Sequence, residues 1–300
     1  MNQSTWGILA RGMAMGAADI VPGVSGGTIA LITGIYDRLI RAIVSADAEA
    51  LAMLLGGRWR GLWYRLDGAF LSILLAGILV SIFTLATGIH WLLATYPQPL
   101  WAFFSGLILA SGLILLRNEV LLDDVFRVAS FAAGASAAVA VSFMPPVAMM
   151  SGLPGLFIAG AIAICAMILP GISGSFMLVL MGMYAPVLAA VKGFQMTELM
   201  VLAAGCATGL LCFARLLDRL LRRHRLIAMA FLSGVLMGSL VAVWPWRAPA
   251  LISGDGAAAI TRPVWPVDVM APQLELCVIA SVAGLALVFS VQWLGSRGAR

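Results

Sequence analysis

Residues 20–36 read IVPGVSGGTIALITGIY, and residues 168–184 read ILPGISGSFMLVLMGMY. Pro22, Ser25 and Tyr36 each recur 148 residues downstream, as Pro170, Ser173 and Tyr184. The chain is therefore an internal duplication built around two Pro-Gly-x-Ser-Gly turns. Proline lacks a backbone donor and glycine admits sharp or left-handed geometry, so each turn breaks a helix in the middle of an apolar stretch. One arm leads in and a second leads out, over residues 6–44 and 152–192. Ser25 is placed to cap the second arm, with Gly26, Gly27 and Thr28 in its first turn. Ser173, Gly174 and Ser175 hold the same places in the second half.

The medium follows from composition. Hydrophobic residues are 62% of 300 and charged residues 10%, with a mean hydropathy of +1.05, which points to a lipid bilayer. Outside the two hairpins, apolar windows of spanning length cover about 68–89, 98–116, 126–144, 197–214, 226–244 and 271–294. A second repeat, FFSGLILAS at 103–111 and FLSGVLMGS at 231–239, has an offset of 128. The twenty extra residues of the first half fall to the polar stretch Ala46–Arg65, whose Trp59, Trp63 and Tyr64 suit a membrane surface.

The expected fold is an all-α polytopic membrane protein with an inverted-topology repeat, residues 1–145 and 146–300. Each half holds one re-entrant or broken helical hairpin plus three spanning helices. A hairpin returns the chain to its starting side and three is odd, so the halves point in opposite directions. This topology puts 15 of the 18 Lys and Arg residues on one side and leaves Lys192, Arg247 and Arg262 on the other. By the positive-inside rule both termini face the cytoplasm. The basic residues flank the membrane without forming an aromatic-basic patch, so nucleic acid is not an expected partner.

Each helix restarted after a turn leaves backbone N–H groups that lipid cannot satisfy. The helix dipole adds roughly half a positive charge there, and glycine lets an anion approach the backbone. Opposed turns from inverted halves are the arrangement of a secondary transporter, and the expected ligand is an anion, most simply a phosphate. Asp19 is the acid within an apolar arm, and its counterpart is Met167. A carboxylate there costs about 2.5–3.5 kcal/mol on insertion scales. It either caps the second arm or carries a coupling proton or sodium ion; the asymmetry with Met167 favours coupling, since a cap would be wanted twice. Arg11 lies about 12 Å before Asp19 along a helix and is expected to snorkel to the headgroups. Tyr36 and Tyr184 contact substrate or anchor at the interface. The Gly205-x-x-x-Gly209 and Gly234-x-x-x-Gly238 spacings predict close helix packing. Cys165, Cys206, Cys212 and Cys277 lack ligand spacing and read as packing residues. His90 and His224 are isolated, so neither a metal nor a catalytic site is expected.

The motifs GAADIVPGVSGGTIALITGIYDRLI, residues 16–40, and CAMILPGISGSFMLVLMGMY, residues 165–184, resemble the bacterial PopT family of polyprenyl-phosphate translocases. The resemblance implies a transporter, without cofactor, that returns undecaprenyl phosphate from the outer to the cytoplasmic leaflet of the inner membrane. The family's motif residues fall on Asp19, Pro22, Gly23, Ser25, Gly26, Gly27 and Thr28, and on Pro170, Gly171, Ser173, Gly174 and Ser175. The phosphate is expected between the turns and the polyprenyl tail between helices, with the small-residue stretches 132–140 and 203–209 as candidate openings. An enzyme acting on the same lipid would want a His or carboxylate general base near a nucleophile or metal; Asp19 is the one intramembrane acid and no His lies near either turn, so an enzyme is not expected. A transporter of a small soluble anion is the alternative. Stretch 246–270 has the weakest match, and the oligomeric state is not legible.

Overall fold

The computed structural model describes residues 4–21, 24–118, 124–145, 152–249 and 261–297. The first hairpin consists of α1 (Thr5–Ile20), α2 (Gly26–Ile32) and α3 (Tyr36–Val44). Two short helices follow, α4 (Ala48–Leu55) and α5 (Trp59–Arg65), then the long helices α6 (Gly68–Thr95), α7 (Pro97–Asn118) and α8 (Val125–Phe143). The second hairpin is α9 (Gly152–Ile168), α10 (Gly174–Leu180) and α11 (Tyr184–Lys192), followed by α12 (Met196–Arg223), α13 (Arg225–Gly238) and α14 (Leu274–Arg297). Among the described residues α6, α7, α8 and α12 are long and apolar enough to cross a membrane, and α10 and α11 form an apolar pair bent by 113°. The protein is an all-α polytopic membrane protein.

The element boundaries repeat the sequence offsets. α2 and α3 recur as α10 and α11 at 148, and α6 recurs as α12 at 128. The inserted stretch is the pair α4 and α5, with Leu55, Trp59 and Tyr64 largely exposed. Asp47 caps α4 through Ala50 N. The hydrogen bond from Arg65 is the main cause that holds the Asp47 carboxyl down at about 2.

One of the expected spans is shorter than drawn. Helix α13 ends at Gly238, where the Ser239 hydroxyl turns back onto Leu236 O and a single 3-10 turn closes the segment before Pro245. Helix α14, 24 residues over Leu274–Arg297, matches the expected window 271–294. Stretch 246–270, which an all-α reading left without structure, contains a small antiparallel pair, β1 (Arg247–Pro249) with β2 (Thr261–Pro263). Trp244 stacks edge-on against Trp246 and Trp265 and donates to Val264 O.

Glycine seams hold the long helices together, and they too are duplicated. A Cβ at Gly12 would lie 2.3 Å from Leu74 O, and one at Gly77 would lie 2.4 Å from Leu9 O; at the equivalent seam, Gly160 faces Leu202 O at 2.6 Å and Gly205 faces Phe157 O at 2.1 Å. The other two seams cross between the halves. Gly106 and Gly284 join α7 to α14, while Gly134, Gly234 and Gly238 join α8 to α13. Neither half can therefore pack its last two helices alone. Within the stretches 132–140 and 203–209, Gly134, Gly205 and Gly209 lie in such seams, as close helix packing requires. Gly234→Leu places a side chain where backbone already stands, 2.1 Å from Phe131 O, and overpacking of this kind costs about 1–3 kcal/mol or more. The expected result is a clear fall in melting temperature in detergent; an unchanged melt would show that the seam gives way freely.

Candidate functional site: the paired turns

Helix α2 starts where two side chains take its first free N–H groups. Asp19 Oδ1 accepts from Gly26 N at 2.7 Å, and Ser25 Oγ accepts from Gly27 N at 3.1 Å. Asp19 is thus a cap in this state, the role that the sequence comparison with Met167 disfavoured. The Met167 side chain covers Gly174 as Asp19 covers Gly26, a Cβ at either glycine meeting it at 2.6 to 2.7 Å. Ser173 does not cap α10 as expected; its hydroxyl pairs with Ser175 Oγ at 2.8 Å.

The structure brings the two turns together, but against one another. The Ser25 hydroxyl donates to Met167 O at 2.8 Å, and the Tyr36 hydroxyl donates to Ile168 O at 3.0 Å. These are end carbonyls of α9, which the helix itself leaves without partners. In return, Gly171 N donates to Thr28 Oγ1 at 2.8 Å. Ser25 and Thr28 are fully buried. Gly27 is where the backbones meet, since a Cβ there would lie 2.7 Å from both Met167 O and Ile168 O. Gly171 is required on two counts: its φ is +87°, and a Cβ would lie 2.5 Å from Ser239 Oγ.

Ser142, Ser173 and Ser239, with Gly171 and Phe176, line a void of about 10 Å³, roughly the minimum that holds one water. Pro22 and Gly23 lie outside the described residues. Pro170 precedes the left-handed Gly171 and closes α9 as expected.

The equivalent residues of the two halves do different things. Tyr36 is 2% exposed and bonded across the interface, whereas Tyr184 is 46% exposed. Neither takes both roles weighed from sequence: Tyr36 locks the turns, and Tyr184 sits at a surface. Helix α3 is anchored by Arg38, which grips Asp67 with two hydrogen bonds, and by Asp37, which meets Arg225 at 2.7 Å. At the equivalent positions α11 has Ala185 and Pro186, which cannot form ion pairs. Arg11 lies against Gly7, one turn back toward the N-terminus, as snorkelling requires. Cys165 and Cys206 donate across the α9–α12 seam to Gly209 O and Gly160 O, while Cys212 is exposed rather than packed.

Comparison with known proteins identifies the family. The family model described as VCA0040-like, undecaprenyl phosphate translocase-like, matches residues 15–257, a range that includes both turns. A protein of Vibrio cholerae named polyprenyl-phosphate transporter is 43% identical over 291 residues, 94% of each chain. One of Staphylococcus aureus with the same name is 31% identical over 262 residues, 82% of this chain and 88% of its own. No solved structure matches. With relatives named as transporters rather than enzymes along nearly its whole length, this chain belongs to the undecaprenyl phosphate translocase-like family of polyprenyl-phosphate transporters.

Proposed function

We propose that the protein carries undecaprenyl phosphate from the outer to the cytoplasmic leaflet of the bacterial inner membrane by parting and re-forming the contact between its two turns. The observation that supports this reading most is the unequal use of equivalent residues. Among the described residues, a duplicated Ser and Tyr pair bonds across the turns from the first half and not from the second, where Ser173 pairs with Ser175 instead. If the halves are inverted, with both termini cytoplasmic, the opposite state has an obvious form: Tyr184 donates to Ile20 O and Ser173 to Asp19 O, while Tyr36 and Ser25 let go. Phe176 stands where Thr28 does, so the third bond has no counterpart and the two states differ in energy. Helix α1, at about 24 Å for 16 residues, falls short of a hydrocarbon core of about 30 Å, which fits hairpins that meet within the membrane.

The phosphate is admitted where Ser142, Ser173 and Ser239 now enclose a water-sized void, once the turns separate. Gly26, Gly27, Gly174 and Ser175 then supply backbone donors from the two helix starts. The polyprenyl tail remains in lipid, so only the costly charged head is moved. Asp19 is the candidate for coupling to a proton or sodium ion, because neutralising it weakens the cap on α2 and loosens the first turn.

Purified protein in proteoliposomes tests the function directly. Labelled undecaprenyl phosphate in one leaflet should become inaccessible to a membrane-impermeant phosphatase only when protein is present. Movement of inorganic phosphate without movement of the lipid would replace this reading with soluble-anion transport. Asp19→Asn should abolish the response to an imposed ion gradient while downhill lipid movement persists at a reduced rate. A variant that still follows the gradient would exclude Asp19 from coupling.

A further inference from the structure

Helices α12 and α13 form a V whose apex is His224. Between them lies a cavity of about 480 Å³, lined by Phe213, Leu217 and Leu220 of α12, Ile227 and Phe231 of α13, and Leu169. Its size falls within the about 300–1,000 Å³ of ordinary ligand pockets, and its wall is nearly all apolar. The two ends are chemically distinct. Away from the apex the wall includes Leu169, the residue before Pro170, so the cleft touches the segment that leads into the second turn. At the apex the chain reads Arg222-Arg223-His224-Arg225, with Arg219 one turn earlier. Arg222 pairs with Asp218 and Arg225 with Asp37. Arg219 and Arg223 are exposed and have no ion pair among the described residues. The equivalent apex between α6 and α7 is Thr95-Tyr96-Pro97, with no cation, although the lengths of α6 and α12 are the same.

We infer that the α12–α13 cleft is the docking site of the polyprenyl-phosphate carrier on the arginine-rich side of the membrane, with phosphate at the apex and the first isoprene units along the cleft toward Leu169. The inference rests on the transport reading above and adds to it a site away from the turns. Charge complementarity fixes the orientation. An anionic head meets cations where the helices reach the membrane surface, and an apolar chain runs inward along an apolar wall. Continuity fixes the occupant. A lipid lying in the cleft touches the segment whose carbonyls Tyr36 and Ser25 hold, so binding there and the state of the turns share one element. An annular phospholipid has the same charge but no need of a path to the turns. Leu169 therefore links the docked chain to the contact that must part.

A polyprenyl phosphate carrying a photoreactive group on its first isoprene unit tests the site in wild-type protein in nanodiscs. Cross-links are expected on residues 213–232 and on Leu169, and a tenfold excess of phosphatidylglycerol should leave them in place. Labelling elsewhere, or equal displacement by phosphatidylglycerol, would make the cleft ordinary lipid-facing surface and overturn the inference. Leu220→Trp, at the lipid-facing edge of the cleft, should reduce labelling and transport about tenfold, equivalent to about 1.4 kcal/mol. Full transport by this variant would also overturn it. Arg219→Gln with Arg223→Gln should weaken labelling without altering the fold. Should wild-type protein label in the cleft yet move no lipid, the transport reading fails and the binding site stands. Should it move lipid without labelling the cleft, the reverse holds.

Discussion

Gly27→Val is expected to abolish transport of polyprenyl phosphate while leaving the helical content and the detergent-solubilised size of the protein unchanged. A Cβ at Gly27 would lie 2.7 Å from two carbonyl oxygens of α9, Met167 O and Ile168 O. Neither oxygen belongs to a flexible side chain, so the two turns must move apart. That movement breaks the bonds from Ser25 to Met167 O and from Tyr36 to Ile168 O. Each leaves a buried acceptor without a donor, at about 1–3 kcal/mol, so the closed state falls from dominant to scarce. The long helices are spared because their seams lie elsewhere. Gly88→Ala is the matching control: nothing stands within 4 Å of the added methyl, and within a helix alanine is favoured over glycine by about 1 kcal/mol. Transport that survives in Gly27→Val would remove the turn contact from the mechanism. Loss in both variants would point to a general intolerance of glycine replacement.

Much of this was legible in the chain because duplication reports itself twice. The offsets of 148 and 128 place α2 against α10 and α6 against α12 to the residue, and Ala46–Arg65 between them as the inserted α4 and α5. Apolar windows and Gly-x-x-x-Gly spacings found the long helices and their seams, since both depend on local pattern. The partners of the turns were not legible. Ser25 and Ser173 occupy the same place in the same motif, yet one bonds to α9 and the other to its neighbour Ser175. A repeat encodes what two halves share, and the closed contact is what they do not share at one moment. The bond that Asp19 accepts from Gly26 N was not legible either. Met167 appeared to lack a matching duty, but in space it covers Gly174 as Asp19 covers Gly26. The strands β1 and β2 escaped because three-residue pairings each ending in proline have too little alternation to read. The cleft between α12 and α13 is a gap between faces, and apolar periodicity marks a lipid-facing stripe and a cleft wall alike.

Tyr36→Phe and Tyr184→Phe should shift the protein in opposite directions. In the state described here the Tyr36 hydroxyl is buried and bonded, so its removal leaves Ile168 O unpaired and destabilises closure by about 1–3 kcal/mol. The equilibrium between states moves by the same energy, about 5- to 150-fold. Tyr184 is half-exposed with no bond to the opposing turn among the described residues, so its hydroxyl contributes little to this state and its full worth to the other. Hydrogen exchange at Gly171 N, which is held by Thr28 Oγ1, reads the balance. Exchange should accelerate in Tyr36→Phe and slow in Tyr184→Phe, with transport reduced in both because a carrier must visit two states. The double variant removes one bond from each side, so its exchange should return toward wild type while turnover stays low or partly recovers. A structural role for Tyr36 alone predicts a different pattern: faster exchange in Tyr36→Phe, no change in Tyr184→Phe, and no recovery when the two are combined. That pattern would leave the duplicated tyrosines as relics of ancestry, and the opposite shifts would make them the two ends of one switch.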